Sequence, residues 1–415
     1  MQEEAYAIYV GVDWASEAHQ VAIVDAACDL RIQERVPHTG ADLTQLAEEL
    51  GHRAGGEPGR VAVAIEVPRG PVVETLLERG LHVYALNPKP LDRFRDRYSM
   101  AGAKDDRRDA RVLAEALRTD RPAFRRLQID EPAVIRLREL ARLDAELQQE
   151  RTRLANRLRE QLQRFYPQLL AFCPAADEPW LWTLLDLAPT PAAGRRVSPA
   201  QLGRVLRTHR IRRLTADALH AQLQTPALRV APGTAEAASE YLALLLPRLR
   251  LVHAQHRACE QRLDRVLAEL AEPAPGQPTE HRDVTILRSL PGVGRGVAAT
   301  MLAEATPLLA TRDSHGLRTQ MGLAPVTRQS GKHVEVSMRY ACNQRLRYAA
   351  YHWGRTSVQC DPHSRAHYAQ LRQRGHAHAR ALRGVVDRLL RVLVVMLETR
   401  TPYDPARRRP LEQTA

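Results

Sequence analysis

At 415 residues the chain exceeds the usual size of one compact domain, and two or three domains are expected. Lys and Arg total 61 against 48 Asp and Glu, a formal charge of +13 carried mostly by arginine; the arginine fork matches phosphate geometry, so nucleic acid is the leading partner, with an arginine-rich proteome as the bland alternative. Five scattered cysteines without a CxxC pair argue against a structural zinc site and a disulfide-built exported fold.

The opening MQEEAYAIYVGVDW is acidic and runs straight into a strand, so no signal peptide is expected and the cytoplasm is the default location. Residues 6–12, HQVAIVDA (19–26) and LRIQERVPH after Asp29 predict three short, closely spaced strands forming an antiparallel meander. A helix, ADLTQLAEELGH, follows, then the strand RVAVAIEV, the helix PVVETLLERGL with Pro71 in its first turn, and the strand HVYALNP. With AKDDRRDA opening another helix, the order is β-β-β-α-β-α-β-α, that of a ribonuclease-H-like α/β fold. A doubly wound nucleotide-binding fold would need strict alternation and a glycine-rich loop where VGVDWAS puts an acid.

From residue 131 the pattern changes to long charged helices. Val134, Leu137, Leu140, Leu143, Leu147, Leu154, Leu158, Leu162 and Phe165 recur at heptad-like spacing. Leu242, Leu245, Leu249, Val252, His256, Cys259, Leu263, Val266 and Leu270 alternate threes and fours throughout. Either an antiparallel arm or oligomerisation coiled coil, or a bundle core, gives this periodicity. The expected organisation is a catalytic domain at 1–128, a coiled-coil arm at 129–272 with a helical insertion at 172–235, a mainly α-helical domain at 281–400, and a basic, disordered tail at 401–415. GVVDRLLRVLVVMLET (384–399) carries Asp387, Arg388 and Arg391, so it reads as an amphipathic or core helix and no membrane span is expected.

The chemistry concentrates in four carboxylates. Asp13 and Glu66 stand where strands run out, and Asp106 and Asp109 are three apart on a helix, sharing a face. Two hard divalent ions about 3.5–4 Å apart, held by such acids, can activate a nucleophile and stabilise a leaving oxygen in phosphodiester attack, and Mg²⁺ suits them best. Asp13 is the expected bridging ligand, and the purely structural alternative for each acid is a turn or helix cap. Asp105 fits that capping role. Lys104, Arg107, Arg108 and Arg111 surround the pair, to hold phosphates or to balance charge.

In LRSLPGVGRGVAATMLAE, Gly292 and Gly294 form a turn of helix-hairpin-helix type, where glycine amides can approach a phosphate; a tight turn opening a core helix is the plain alternative. In GLAPVTRQSGKHVEVSMRYACNQRLRYAAYHW, Ser330 sits beside Gly331 with Lys332, Arg339 and Arg345 nearby, and spacing alone makes it a turn serine. Tyr340, Leu346, Tyr348, Ala349 and Trp353 most simply pack a helical core, with base or sugar contacts as the alternative.

Together these segments resemble the IS110/IS1111 family of insertion-sequence transposases, the DEDD transposases. The likeness rests on YVGVDWASEAHQVAIVD, AIEVPRGP, AKDDRRDARVLAEAL, LRSLPGVGRGVAATMLAE and GLAPVTRQSGKHV, in order along nearly the whole chain. It implies a RuvC-like domain, a coiled coil and a C-terminal transposase domain. The metal-binding acids fall on Asp13, Glu66, Asp106 and Asp109, and the nucleophile on Ser330, forming a serine–DNA covalent intermediate assisted by Mg²⁺, with Mn²⁺ as a substitute. It further implies donor and target double-stranded DNA as partners, a bridge RNA from the element, and dimers assembling to a tetramer. Asp105 departs from the family's usual threonine before the acidic pair, adding negative charge there. The alternatives are a RuvC-like junction-resolving endonuclease using water, and an inactive nucleic-acid-binding protein.

Overall fold

The computed structural model describes residues 5–27, 29–86, 94, 105–128, 131–272, 282–331 and 333–407. They fall into two compact units, 1–131 and 132–415. The expected arm and C-terminal domain both lie in the second. The candidates Lys104 and Lys332, nearly all of the linker at 272–281 and the end of the tail lie outside the described residues.

The first unit is built on a six-stranded mixed sheet in the order β3-β2-β1-β4-β5-β6. The strands β1 (Ile8–Asp13), β2 (Ala18–Asp25) and β3 (Leu30–Pro37) form the expected antiparallel meander, while β4 (Val61–Ile65) and β5 (His82–Ala85) continue parallel to β1. The edge strand β6 (Arg125–Arg126), antiparallel to β5, has no apolar pattern to announce it. Period-two alternation divides β1 and β4 between two cores. Val10, Val12, Val61, Val63 and Ile65 face α1 (Gly40–Arg53) and α2 (Pro71–Glu78), which bury Leu43, Leu46, Leu50, Val72, Val73 and Leu76 against them. Ala62 and Ala64 face the other way, packing with Val112, Leu113, Ala116 and Leu117 of α3 (Asp106–Thr119).

The second unit is mainly helical. The long helices α4 (Pro132–Phe165) and α5 (Thr234–Ala271) run antiparallel: Arg136 pairs with Glu269 at one end, and further along Asp144 meets His256. All nine periodic positions predicted on α5 are buried, and the helix continues through Pro247. On α4, Leu143 is exposed, a break in the predicted stripe. The insertion is a small helical layer whose Trp180 and Trp182 pack with Leu158, Leu162, Leu245 and Leu249. At the other end, Val134, Leu137, Leu263 and Val266 pack with Val284 and Ala299 of α6 (Asp283–Ser289) and α7 (Arg295–Glu304). These join α8 (Gln344–Cys360) and α9 (His378–Glu398) around Trp353, Leu346, Val386, Leu389 and Leu393. The apolar 384–399 stretch is thus a core helix. Among the described residues no helix is long and apolar enough to cross a membrane. The tail expected to be disordered is anchored in its first part, where the Tyr403 N–H donates to Ser289 Oγ at 2.8 Å.

Candidate metal centre

Asp13 is the last residue of β1, on the same side as Gly11, which faces α3. A Cβ on Gly11 would lie 1.8 Å from the Ala110 carbonyl oxygen and 2.7 Å from the Ala114 nitrogen, so only glycine lets α3 rest on the strand backbone. That approach delivers the first turn of α3 to the strand end. Carboxylate oxygens of Asp13, Asp106 and Asp109 consequently lie within 4.8 Å of one another. Asp109 is buried at 3% exposure, Asp13 is half-buried and Asp106 is exposed, a graded set leading from the sheet to solvent.

Glu66 stands one residue beyond β4, beside the end of β1, because Val12 is in register with Ile65. Its carboxylate is not part of the three-acid group. Asp105 has the capping role expected of it: its side chain accepts from the Arg107 N–H at 3.1 Å and closes the start of α3. Three acids crowded at one helix start complement the positive end of its dipole, but they repel one another and suit a cation.

Asp13 and Asp106 line a cleft of about 440 Å³ with Ser16, Glu17, Arg35 and Arg107. Of the predicted basic residues, Arg107 and Arg108 are exposed, while Arg111 pairs with the buried Glu115 at 2.6 Å. One contributor escaped the sequence reading. His19 of β2 is fully buried; the Ala15 N–H of the cleft wall donates to its Nδ1 at 3.3 Å, and its Nε2 lies 2.8 Å from His38 Nδ1. Since Nδ1 accepts, Nε2 carries the proton and donates to His38. Burial first, and the neighbouring His38 second, hold the His19 pKa below its ordinary value, so the ring is neutral and the relay intact at neutral pH. A histidine alternating with valines gives no signal beyond that of a core strand.

In the second unit, Ser330 ends β7 (Val326–Ser330) and is paired with His333 at the start of β8 (His333–Ser337). The ribbon is exposed on both faces, and among the described residues Ser330 Oγ has no hydrogen-bond partner. Gly331 takes a left-handed φ of 57°, which the turn after Ser330 requires. In the turn between α6 and α7, Gly292 has φ 80°, and a Cβ there would lie 2.6 Å from the Ser357 nitrogen of α8. Trp353 Nε1 and Ser357 Oγ both donate to the Pro291 carbonyl. The Gly292 turn is therefore seated on α8, whereas Gly294 is open. Arg339 donates to the Ala324 carbonyl at 3.3 Å, and Arg345 lies 3.7 Å from Glu304. Burial pushes Glu304 up, but hydrogen bonds from Asn343 and Arg142, with the charges of Arg142 and Arg345, outweigh it and hold the carboxyl below its ordinary range.

Residues 10–167 match a family described as transposase, of the DEDD type of IS110, and residues 284–369 match the transposase family of IS116, IS110 and IS902. A protein named as transposase y4uE from Sinorhizobium fredii is 51% identical over 50% of this chain; the chain spans 58% of that relative. A protein named as the mini-circle transposase for IS117 of Streptomyces coelicolor is 32% identical over the full length of both. An IS116 protein of Streptomyces clavuligerus is 31% identical over 98% of each.

Proposed function

Because this chain belongs to the IS110 family of insertion-sequence transposases, we propose that it cuts and rejoins DNA strands through a serine–DNA intermediate assisted by a divalent-metal site. The observation that carries the reading is the convergence of Asp13, Asp106 and Asp109 within 4.8 Å beside an open cleft. All three donors are carboxylate oxygens, a hard set that fits Mg²⁺, with Mn²⁺ as a substitute. Glu66, at the neighbouring strand end, is the fourth ligand in this reading, and the mixed sheet is a ribonuclease-H-like layer. When bound, such ions activate a nucleophile and stabilise the oxygen that leaves.

The Ser330 oxygen attacks the scissile phosphorus, losing its proton, as the bond from phosphorus to the 3′-oxygen breaks. The 3′-oxygen leaves as a hydroxyl once protonated, and a phosphoserine ester to the 5′ side remains. Attack by a 3′-hydroxyl on that ester reverses the bond changes and regenerates Ser330, so joining needs no external energy source. The partners in this reading are donor and target DNA, a bridge RNA from the element, and further copies of the chain, as dimers pairing into a tetramer. A formal charge of +13 supports polyanionic partners.

A denaturing gel tests the reading. Element-end DNA and its RNA, incubated with the protein and Mg²⁺, should give a covalent protein–DNA band that Ser330→Ala and Asp13→Ala both abolish. Full recombination by Ser330→Ala, with loss in Asp13→Ala, would overturn serine catalysis. A second reading, hydrolysis of branched DNA by water at the acids, draws on the three-acid cluster alone. It predicts cleavage without an adduct.

A further inference from the structure

A cavity of about 350 Å³ in the second unit lies between α8 and α9, near the base of the β7–β8 ribbon, and the mechanism above makes no use of it. Met321, Met338, Ala350 and Leu382 form apolar wall, while Tyr348, Tyr351, Arg347 and Arg383 supply rings and charge. The helix phase explains the division. Leu346, Ala350, Trp353 and Ser357 take the buried face of α8, and Tyr348 and Tyr351 fall on the other, 63% and 40% exposed. The Tyr348 and His352 rings meet edge to face with centroids 4.4 Å apart; Tyr351 meets His352 at 5.5 Å and His378 of α9 at 6.4 Å, contacts that fix both tyrosines while leaving them substantially exposed.

The charge is equally lopsided. The cavity lining contains no carboxylate, and among the described residues Arg347, Arg380 and Arg383 have no ion-pair partner. Arg347 is instead spent on carbonyls, donating to Arg339 at 2.7 Å and Tyr340 at 3.1 Å, and its guanidinium lies over the Tyr340 ring. Burial, then repulsion from Arg347 and Arg380, pulls the Arg383 pKa down, yet a guanidinium stays charged. An anion placed here would relieve a repulsion that the chain leaves standing.

We propose that this cavity binds one unpaired nucleotide, its base against Tyr348 and Tyr351 and its phosphate towards Arg383. The volume sits at the lower end of ligand pockets, about 300–1,000 Å³, room for a single nucleotide. Stacking on a side-chain ring needs an open base face, which a base inside a duplex does not offer, so the occupant is a flipped or single-stranded residue. The Gln344 amide and the tyrosine hydroxyls of the lining could bond a ribose 2′-hydroxyl, whereas stacking serves either sugar, so DNA and RNA both enter the test.

The proposal rests on the nucleic-acid reading above, and the experiment separates the two. Short single strands of DNA and of RNA carrying 2-aminopurine are titrated into the full chain while fluorescence is followed. Stacking should quench the probe, and the double variant Tyr348→Ala, Tyr351→Ala should abolish quenching and weaken binding about tenfold or more. The Tyr348→Phe, Tyr351→Phe variant keeps the rings and should bind as the parent does, which separates stacking from loss of fold. Arg383→Gln should lower the salt slope of binding by about one. The strand that is quenched, DNA or RNA, names the source. Absence of quenching in the parent, or unchanged quenching and affinity in the double Ala variant, overturns the pocket. If the serine adduct still forms in the parent, the transposase reading survives that result.

Discussion

The acid cluster and the Ser330 ribbon are supported in opposite ways. Asp13, Asp106 and Asp109 ride on a strand inside a six-stranded sheet and on a helix pressed directly against it, so their spacing is set by packed backbone. Ser330 ends a two-stranded ribbon exposed on both faces. Ligands that must meet an ion at fixed distances need the first kind of support, whereas a nucleophile that must reach a phosphate can be oriented by the nucleic acid itself. One region is therefore costly to alter and the other cheap.

The largest effect should come from Gly11→Ala. Its Cβ meets backbone, not a flexible side chain, so relief requires α3 to move; the expected loss is about 3 kcal/mol, the upper end for overpacking, with divalent-ion affinity falling in parallel. Urea unfolding and calorimetric titration with Mn²⁺ check it, and an unshifted midpoint would end the claim that contact sets the spacing. Gly292→Ala should follow at about 1–3 kcal/mol, since it combines a left-handed φ with a Cβ 2.6 Å from the Ser357 nitrogen. A Tm within a degree or so of the parent would contradict this.

His19 gives a smaller, pH-dependent effect. Its folded pKa is depressed, so the unfolded chain binds the proton more readily. The stability it contributes is complete above the unfolded value of about 6.5 and is lost as pH falls through the folded value. Replacing it by His19→Asn should flatten that part of the stability profile, and an unchanged slope below pH 6.5 would count against the relay. Smallest of all, Ser330→Ala should alter stability by no more than about 0.5 kcal/mol, because the side chain is exposed and without a described partner, while the DNA adduct disappears. Marked destabilisation by that variant would erase the contrast between the regions.

Much of this is legible in the chain because apolar period marks strands and helices directly. The three-strand meander, β4, α2 and the nine buried positions of α5 all follow from it. Asp13, Asp106 and Asp109 can be grouped because their elements are legible. The close seat that unites them cannot, since a glycine flanked by valines says nothing about the helix above it. Aromatic character groups Tyr340 and Tyr348 with Leu346, Ala349 and Trp353 as core-packing residues; the last three are buried, but Tyr340 and Tyr348 are 73% and 63% exposed. Tyr340 precedes α8, and Tyr348 lies off the face through Leu346, Ala350 and Trp353, so helix phase is the sounder guide there. β6 is invisible in the sequence because two adjacent arginines carry no apolar period, and the strand is defined by its backbone register with Tyr84 and Ala85 of β5.

The trough of Gly11, Ala62 and Ala64 beneath α3 has a consequence for ion choice. Where Gly11 meets the Ala110 and Ala114 backbone no side chain stands between helix and strand, so nothing at that contact can turn aside to admit a different radius. Mg²⁺ takes oxygen at about 2.0–2.1 Å and Ca²⁺ at about 2.3–2.6 Å with looser geometry. In the metal-site reading proposed above, a seat fixed in this way should favour the smaller ion, much as a fixed gauge rejects an oversized pin, and widening it should trade selectivity for tolerance.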